Sequence, residues 1–279
     1  SIVNLPFDEF SEITLTYLGS PYIIGDNPYG STLFIPEEKT LNIEPGVILK
    51  FISPSVFTSS PGLEVNGTLK AIGLELEPIT FTREGLGFHW CGLNFTSSSL
   101  NSEINYALIE KAGDCGTGDY FYTNYVIKVD QSKIILKNSV VESNLESVRA
   151  KRGIWLKDSS SEIDGVTFSN FNQDGNSIAL HIEGGNPIIQ SSTFKKNYYG
   201  IKIEQGANPI IKGNSFEENE IPIYAFNSYP SSSEKQFLNN ENNGILIKGD
   251  ISQDTTWKSV TTYCVDYYLG VLDGAALIL

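Results

Sequence analysis

The chain has no methionine, no Cys-x-x-Cys pair, few basic side chains and no apolar run near the ~18 residues a membrane-crossing helix needs. Each shortage excludes something. Without such a run there is no helical membrane span. Only 19 lysines and arginines stand against 33 acids, a net charge of −14. That excludes nucleic acid as a partner, because phosphates are bound by Lys and Arg. It also speaks against a polyanion such as pectate unless cations bridge the two, and it favours solubility and cation binding. The three cysteines, Cys91, Cys115 and Cys264, lack the paired spacing of a structural zinc site. No secretion signal is readable, and the chain opens on Ser1, which reads as a processed or excised start. A long amphipathic helical pattern is missing as well.

What is present is a repeat. Asn186-Pro187-Ile188-Ile189 and its continuation to Asn197 nearly superimpose on Asn208-Pro209-Ile210-Ile211 and its continuation to Asn219, at an offset of 22 residues. Short apolar strands recurring at that period mark a solenoid with one coil per repeat. In Ile201-Lys202-Ile203 the alternation puts two isoleucines on one face and lysine on the other. Stacked as parallel strands, such coils bury the isoleucines in a continuous core and leave Lys, Glu and Ser in water. Phe168, Phe194 and Phe216 hold equivalent places and are expected to stack as an internal aromatic ladder. Asn197 and Asn219 share one turn position, where asparagine tolerates left-handed backbone and bonds turn amides. Ile109 and Val141 are equivalent but 32 residues apart, so a long insertion lies between them.

The stretch Leu41 to Thr82, with Leu41-Asn42-Ile43-Glu44-Pro45-Gly46-Val47-Ile48-Leu49-Lys50-Phe51 and Leu63-Glu64-Val65-Asn66-Gly67-Thr68-Leu69, resembles the opening coils of secreted right-handed parallel β-helix repeat proteins. That group is related in fold to pectate lyases. The resemblance covers roughly Leu33 to Ile251 and is specific for fold rather than function. It implies an all-β chain folded as one single-stranded right-handed parallel β-helix, a solenoid of roughly nine coils spanning on the order of 40 Å. Residues 1–279 then form one domain: 1–32 a lead-in or cap, 33–251 the coils, 252–279 a cap or the start of a further unit. The second option for the tail rests on an echo. Tyr263-Cys264-Val265 and Val271 to Leu279 repeat the hydrophobic pattern of Tyr22-Ile23-Ile24 and Ile35 to Ile43, pairing Leu277 with Leu41.

The polygalacturonase motifs Asn-Thr-Asp, Asp-Asp, Gly-His-Gly and Arg-Ile-Lys are absent, and His181 lies in Ala179-Leu180-His181-Ile182. No catalytic residue is therefore assigned. The basic cluster Arg149-Ala150-Lys151-Arg152 reads as a solvated turn, with a β-elimination base as its alternative. The inserted loop from Lys111 to Tyr122 carries Asp114 and Asp119, oxygen donors suited to calcium. Its rings Tyr120, Phe121 and Tyr122, with Tyr125 just beyond, suit stacking on sugar rings. The alternative is an ordinary surface insertion whose aromatics cover a coil face. Cys91 precedes one coil and Cys115 lies in the loop leaving it, so a disulfide between them is open in an exported protein. Trp90 reads as core or cap. Tyr198, Tyr199 and Tyr224, with Phe226 and Tyr229, form an aromatic strip if they face outward, and about half are expected to face inward.

These residues describe an extracellular or cell-surface module, structural or adhesive, whose partner is polysaccharide or another surface glycan. No cofactor is required, and calcium is the one the acids could hold. The alternatives are a polysaccharide lyase or glycoside hydrolase, and a subunit that self-associates through the ends of its solenoid.

Overall fold

The computed structural model describes residues 5–25, 32–52, 61–85, 90–113, 124–143, 151–228, 230–257 and 262–278. Three parallel sheets wind through them as a right-handed β-helix. The first sheet has nine strands from Glu12–Leu15 to Ser231–Ser233, and the second nine from Tyr22–Ile24 to Gln236–Leu238. The third has ten, from Leu33–Ile35 to Tyr263–Val271. Each coil contributes one strand to each sheet in turn. Ile188–Gln190, Thr193–Lys195 and Tyr199–Glu204 form one coil, and each pairs in parallel with its counterpart in the next. The 22-residue offset is thus one turn of the solenoid, and Ile109 does stand beside Val141 across the insertion.

Sharp corners let so few residues close a coil. In this coil Ser191, Lys196 and Gln205 take left-handed backbone at φ of 49°, 56° and 57°. Left-handed geometry costs a side-chain-bearing residue roughly 1 kcal/mol. The cost is offset because corner amides bond onward along the stack: Ser191 N–H to Lys212 O at 3.1 Å and Lys196 N–H to Glu217 O at 3.0 Å. Where a strand enters the third sheet, coils approach too closely for a side chain. A Cβ on Gly153 would lie 2.2 Å from Ala179 O, and one on Gly200 2.5 Å from Pro222 O.

Inward positions form one apolar column. Phe168 and Phe194 stack at 4.7 Å and 2°, Phe194 and Phe216 at 5.0 Å and 9°, and Phe237 continues the ladder in a tilted contact. The asparagine ladder also runs one rung beyond Asn197 and Asn219, to Asn240. Trp90 is fully buried, stacks on Phe51 at 4.0 Å and donates Nε1–H to Glu110 O at 2.9 Å, so it belongs to the core. Cys91 is disulfide-bonded and Cys264 carries a free thiol. Cys115, the expected partner, lies outside the described residues.

Stacking begins at Glu12–Leu15, within the segment read as a lead-in, and Phe7 closes the core there at 5% exposure. At the other end Tyr263–Val271 adds a strand to Ile245–Ile251, with a register shift between Ile247 and Gly249. Part of the tail's echo is structural. Ala275 N–H bonds Leu272 O at 3.0 Å as Lys39 N–H bonds Pro36 O at 3.2 Å, and both turns hold a left-handed residue, Gly274 and Glu38. The other part is not, since Tyr22–Ile24 lies in the second sheet and Tyr263–Val271 in the third.

Candidate binding face on the third sheet

Register puts one outward residue from every third-sheet strand into a single row: Phe34, Glu64, Asn94, Lys128, Trp155, His181, Lys202, Tyr224, Leu246 and Cys264. Each but Cys264, whose neighbour Val265 is half exposed, sits between two buried neighbours in its strand, so alternation alone turns it outward. A second row two residues on carries Asp130, Lys157, Glu183 and Glu204. Among the described residues, the outward positions of the other two sheets carry no aromatic ring in their central strands. The third sheet is where rings and charges meet.

The middle of the row is a network. Tyr125 stacks beside Trp155 with ring centroids 5.4 Å apart, and its hydroxyl lies 2.7 Å from His181 Nδ1. Arg152 lies over the Tyr125 ring and donates Nη1–H to the hydroxyl at 3.5 Å. His181 Nε2 lies 2.8 Å from Glu204 Oε2 and 3.3 Å from Glu183 Oε1, and Lys202 Nζ reaches Glu204 at 2.9 Å. In the neutral ring the two closest contacts are satisfied together when the Tyr125 hydroxyl donates to Nδ1 and Nε2–H donates to Glu204. Burial holds the Tyr125 phenol well above its ordinary range, keeping that proton in place. The bond from His181, aided by those from Lys202, holds Glu204 down to about 2 although burial opposes it.

Trp155 is 5% exposed, flanked by Tyr125 and by the ammonium groups of Lys128 and Lys157, 5.2 and 5.8 Å from its ring centroid. Among the described residues its Nε1–H is buried without an acceptor, and Asn94 Oδ1, two strands away in the row, is buried without a donor. A hollow of about 180 Å³ opens beside Asn94, Lys128, Tyr125 and Glu64. A larger one, about 400 Å³, lies at the corner leaving the sheet. Serines line much of it and already bond one another or the backbone nearby, as Ser132 does Ser99 O at 2.8 Å, so the ring-bearing face is the better candidate.

Tyr198, Tyr199 and Tyr224 come together at the far end of this face. Tyr199 meets Tyr198 edge-on at 5.0 Å and Tyr224 at a tilt at 5.7 Å. These three and Phe226 are all half-buried on the outer side, so the expectation that half the strip turns inward fails among the described residues. The strand period explains Tyr224, which lies between inward Ile223 and Ala225, and the corner explains Tyr199, which opens its strand there and escapes the inward parity of Ile201. Burial pushes Tyr199 up to about 12 and raises Tyr224 in the same direction. Of the basic cluster, Lys151 is paired with Asp174, whereas Arg152 opens the strand Arg152–Lys157 and lies over Tyr125, so the solvated-turn reading does not hold for Arg152; Arg149 and Ala150 lie outside the described residues. Tyr229 lies outside the described residues, as do Asp114, Asp119, Tyr120, Phe121 and Tyr122 of the inserted loop. Tyr125, grouped with that loop from sequence, opens the strand Tyr125–Asp130 and is buried at 4% exposure. Trp155, His181, Glu183, Lys202 and Glu204 belong to this candidate face and were not picked out from the sequence. Aligning Ile127-Lys128-Val129, Ile154-Trp155-Leu156, Leu180-His181-Ile182 and Ile201-Lys202-Ile203 on their flanking aliphatics would have found the row.

No curated protein and no solved structure matches the chain significantly. Residues 152–265 match the family model described as a right handed beta helix region. That span holds the strands of Trp155, His181, Lys202 and Tyr224, and the same three-sheet winding continues back to Glu12, so the described chain is a right-handed parallel β-helix.

Proposed function

We propose that this chain is an extracellular or cell-surface module that binds polysaccharide along the outer face of its third sheet. The observation that carries the reading is the coincidence, in one row, of aromatic rings with two unsatisfied buried polar atoms, the donor of Trp155 and the acceptor of Asn94. Buried polar atoms are ordinarily paired. A sugar hydroxyl both donates and accepts, so it can serve either, while Tyr199 and Tyr224 offer ring faces. A net charge of −14 favours a neutral glycan over a polyanion.

The test is a neutral-glycan array read beside assays for new reducing or unsaturated chain ends, with and without calcium. Binding without new ends is expected. Ring contacts contribute about 0.5–1.5 kcal/mol each, so the double variant Tyr199→Ala/Tyr224→Ala should lose about tenfold in affinity. Trp155→Phe, which removes the indole N–H and keeps a ring, should lose less. New chain ends would establish a lyase or hydrolase instead, and unchanged affinity in both variants would remove the face from consideration.

A second reading, self-association through the end of the solenoid, is favoured by the last coil. Val265, Val271, Leu272 and Ile278 are each about half exposed there, around Tyr263–Val271, the outermost strand of the third sheet among the described residues. If a second copy docks there, light scattering should show mass rising with concentration, and Val265→Lys should abolish the rise. A constant monomer mass would end this reading.

A further inference from the structure

We propose that His181, Glu183 and Glu204 form a binding site for a divalent transition-metal cation of the zinc class. The donors are His181 Nε2 and one carboxylate oxygen from each glutamate, and these atoms lie within 4.8 Å of one another. The strand register brings them together. Glu183 and Glu204 are direct neighbours on adjacent strands, and His181 stands two residues before Glu183 on the same face. Zinc sits about 2.0–2.2 Å from nitrogen and oxygen ligands, and ligands at tetrahedral angles are then roughly 3.3 Å apart. The 2.8 and 3.3 Å separations already found from Nε2 are close to that spacing.

Two further features point to a cation. Like charges directly opposite on neighbouring strands repel, yet the two carboxylates are unequally compensated. Glu204 has Lys202, whereas the Glu183 side chain, 18% exposed, has His181 within ion-pair distance among the described residues, its register neighbour Lys157 being paired with Asp130 at 3.4 Å. A single Nε2–H cannot serve both carboxylates, and it is directed at Glu204. A divalent ion in the centre would neutralise both. The second feature is the support behind the ring. A metal-bound imidazole is ordinarily fixed by a partner on its other nitrogen, and Tyr125 holds Nδ1 at 2.7 Å. Metal on Nε2 requires the ring hydrogen on Nδ1, so this bond reverses: the ring donates and the phenol oxygen accepts. That oxygen already accepts from Arg152. No net proton leaves a neutral ring; the hydrogen moves from one nitrogen to the other.

Imidazole with two carboxylates suits zinc, whereas calcium takes 6–8 oxygens. Three protein donors leave a fourth position for water or a ligand hydroxyl at the outer face. Lys202 competes for Glu204 in the metal-free state, so removing its charge should favour the metal. Binding of the ion does not depend on binding of a glycan.

The experiment is a zinc titration of the full chain after chelator treatment and dialysis, followed by calorimetry, with cobalt absorption as a report on coordination. One ion per chain is expected, with a rise in melting temperature. Glu183→Gln, an outward change that leaves the core intact, should weaken binding by about tenfold or more, and His181→Ala likewise. Lys202→Gln should bind zinc more tightly than the parent, which a loss of folding could not produce. Absence of zinc binding by the folded parent, or binding that Glu183→Gln leaves unchanged, would overturn the proposal.

Discussion

Replacing Phe194 with alanine is expected to destabilise the solenoid by about 3–5 kcal/mol. Phe194 is fully buried and is the middle of a stack, 4.7 Å from Phe168 and 5.0 Å from Phe216. Truncation removes the apolar area of one ring and leaves a void that neighbours above and below cannot fill, because their own coils fix their height. A solenoid's stability is roughly a sum of coil and interface terms. One missing ring weakens two interfaces, those toward the Phe168 and Phe216 coils. Phe194→Leu refills part of the void and should cost roughly 1–2 kcal/mol. Lys195→Ala, next in the strand but facing water, should stay within about 0.5 kcal/mol of the parent. Equilibrium unfolding in urea checks the series. A loss for Phe194→Ala no larger than for Lys195→Ala would show that the ladder contributes little.

The repeat at Asn186 and Asn208 made the winding legible because a solenoid uses local rules again and again. Alternation chose the inward residues, small polar residues marked the corners, and equivalent places in successive repeats put Phe194 above Phe168. None of this needs long-range information beyond the period. The candidate face was less legible for the opposite reason. Trp155 and Tyr125 lie 26 and 56 residues before His181 in sequence, counting 155 to 181 and 125 to 181, and the three acquire meaning only when stacked. Insertions of unequal length disturb the count between coils, so a fixed offset does not align Lys128 with Lys202. The tyrosines at 198, 199 and 224 were visible because they fall in the regular 22-residue region. The outward direction of Tyr224 follows from the same alternation that buries Ile223 and Ala225, whereas Tyr199, which shares the parity of Ile201, faces out because it opens its strand at a corner. Tyr125 is different: it starts its strand at a corner, and its ring runs across the face to a histidine two coils on, which no pattern within one coil encodes.

The second large effect is expected at Asn219, where alanine should cost about 3–5 kcal/mol, as much as an aromatic truncation although the side chain is polar and small. The magnitude comes from what is left behind. Asn219 Oδ1 accepts from the amide and from Nδ2 of Asn197, at 3.0 and 2.9 Å. Its own Nδ2 donates to Phe194 O at 2.8 Å and to Asn240 Oδ1 at 2.9 Å. Both Asn197 and Asn219 are at most 2% exposed. Alanine strands two donors of Asn197 away from water and removes the bond from Asn219 Nδ2 to Phe194 O, and each unsatisfied buried group costs about 1–3 kcal/mol. Relaxation that readmits water lowers the sum, hence the range given. Asn219→Asp separates this account from one of lost packing. The aspartate keeps nearly the same volume and still accepts from Asn197, but its second oxygen faces two acceptors, Phe194 O and Asn240 Oδ1. It should therefore be destabilising at neutral pH and recover part of the loss in acid, where a protonated carboxyl regains one donor. Urea unfolding of both variants at neutral and acidic pH, referenced to the parent at each pH, measures this. Should the aspartate variant match the parent at neutral pH, the ladder's hydrogen bonds would not be what fixes this corner.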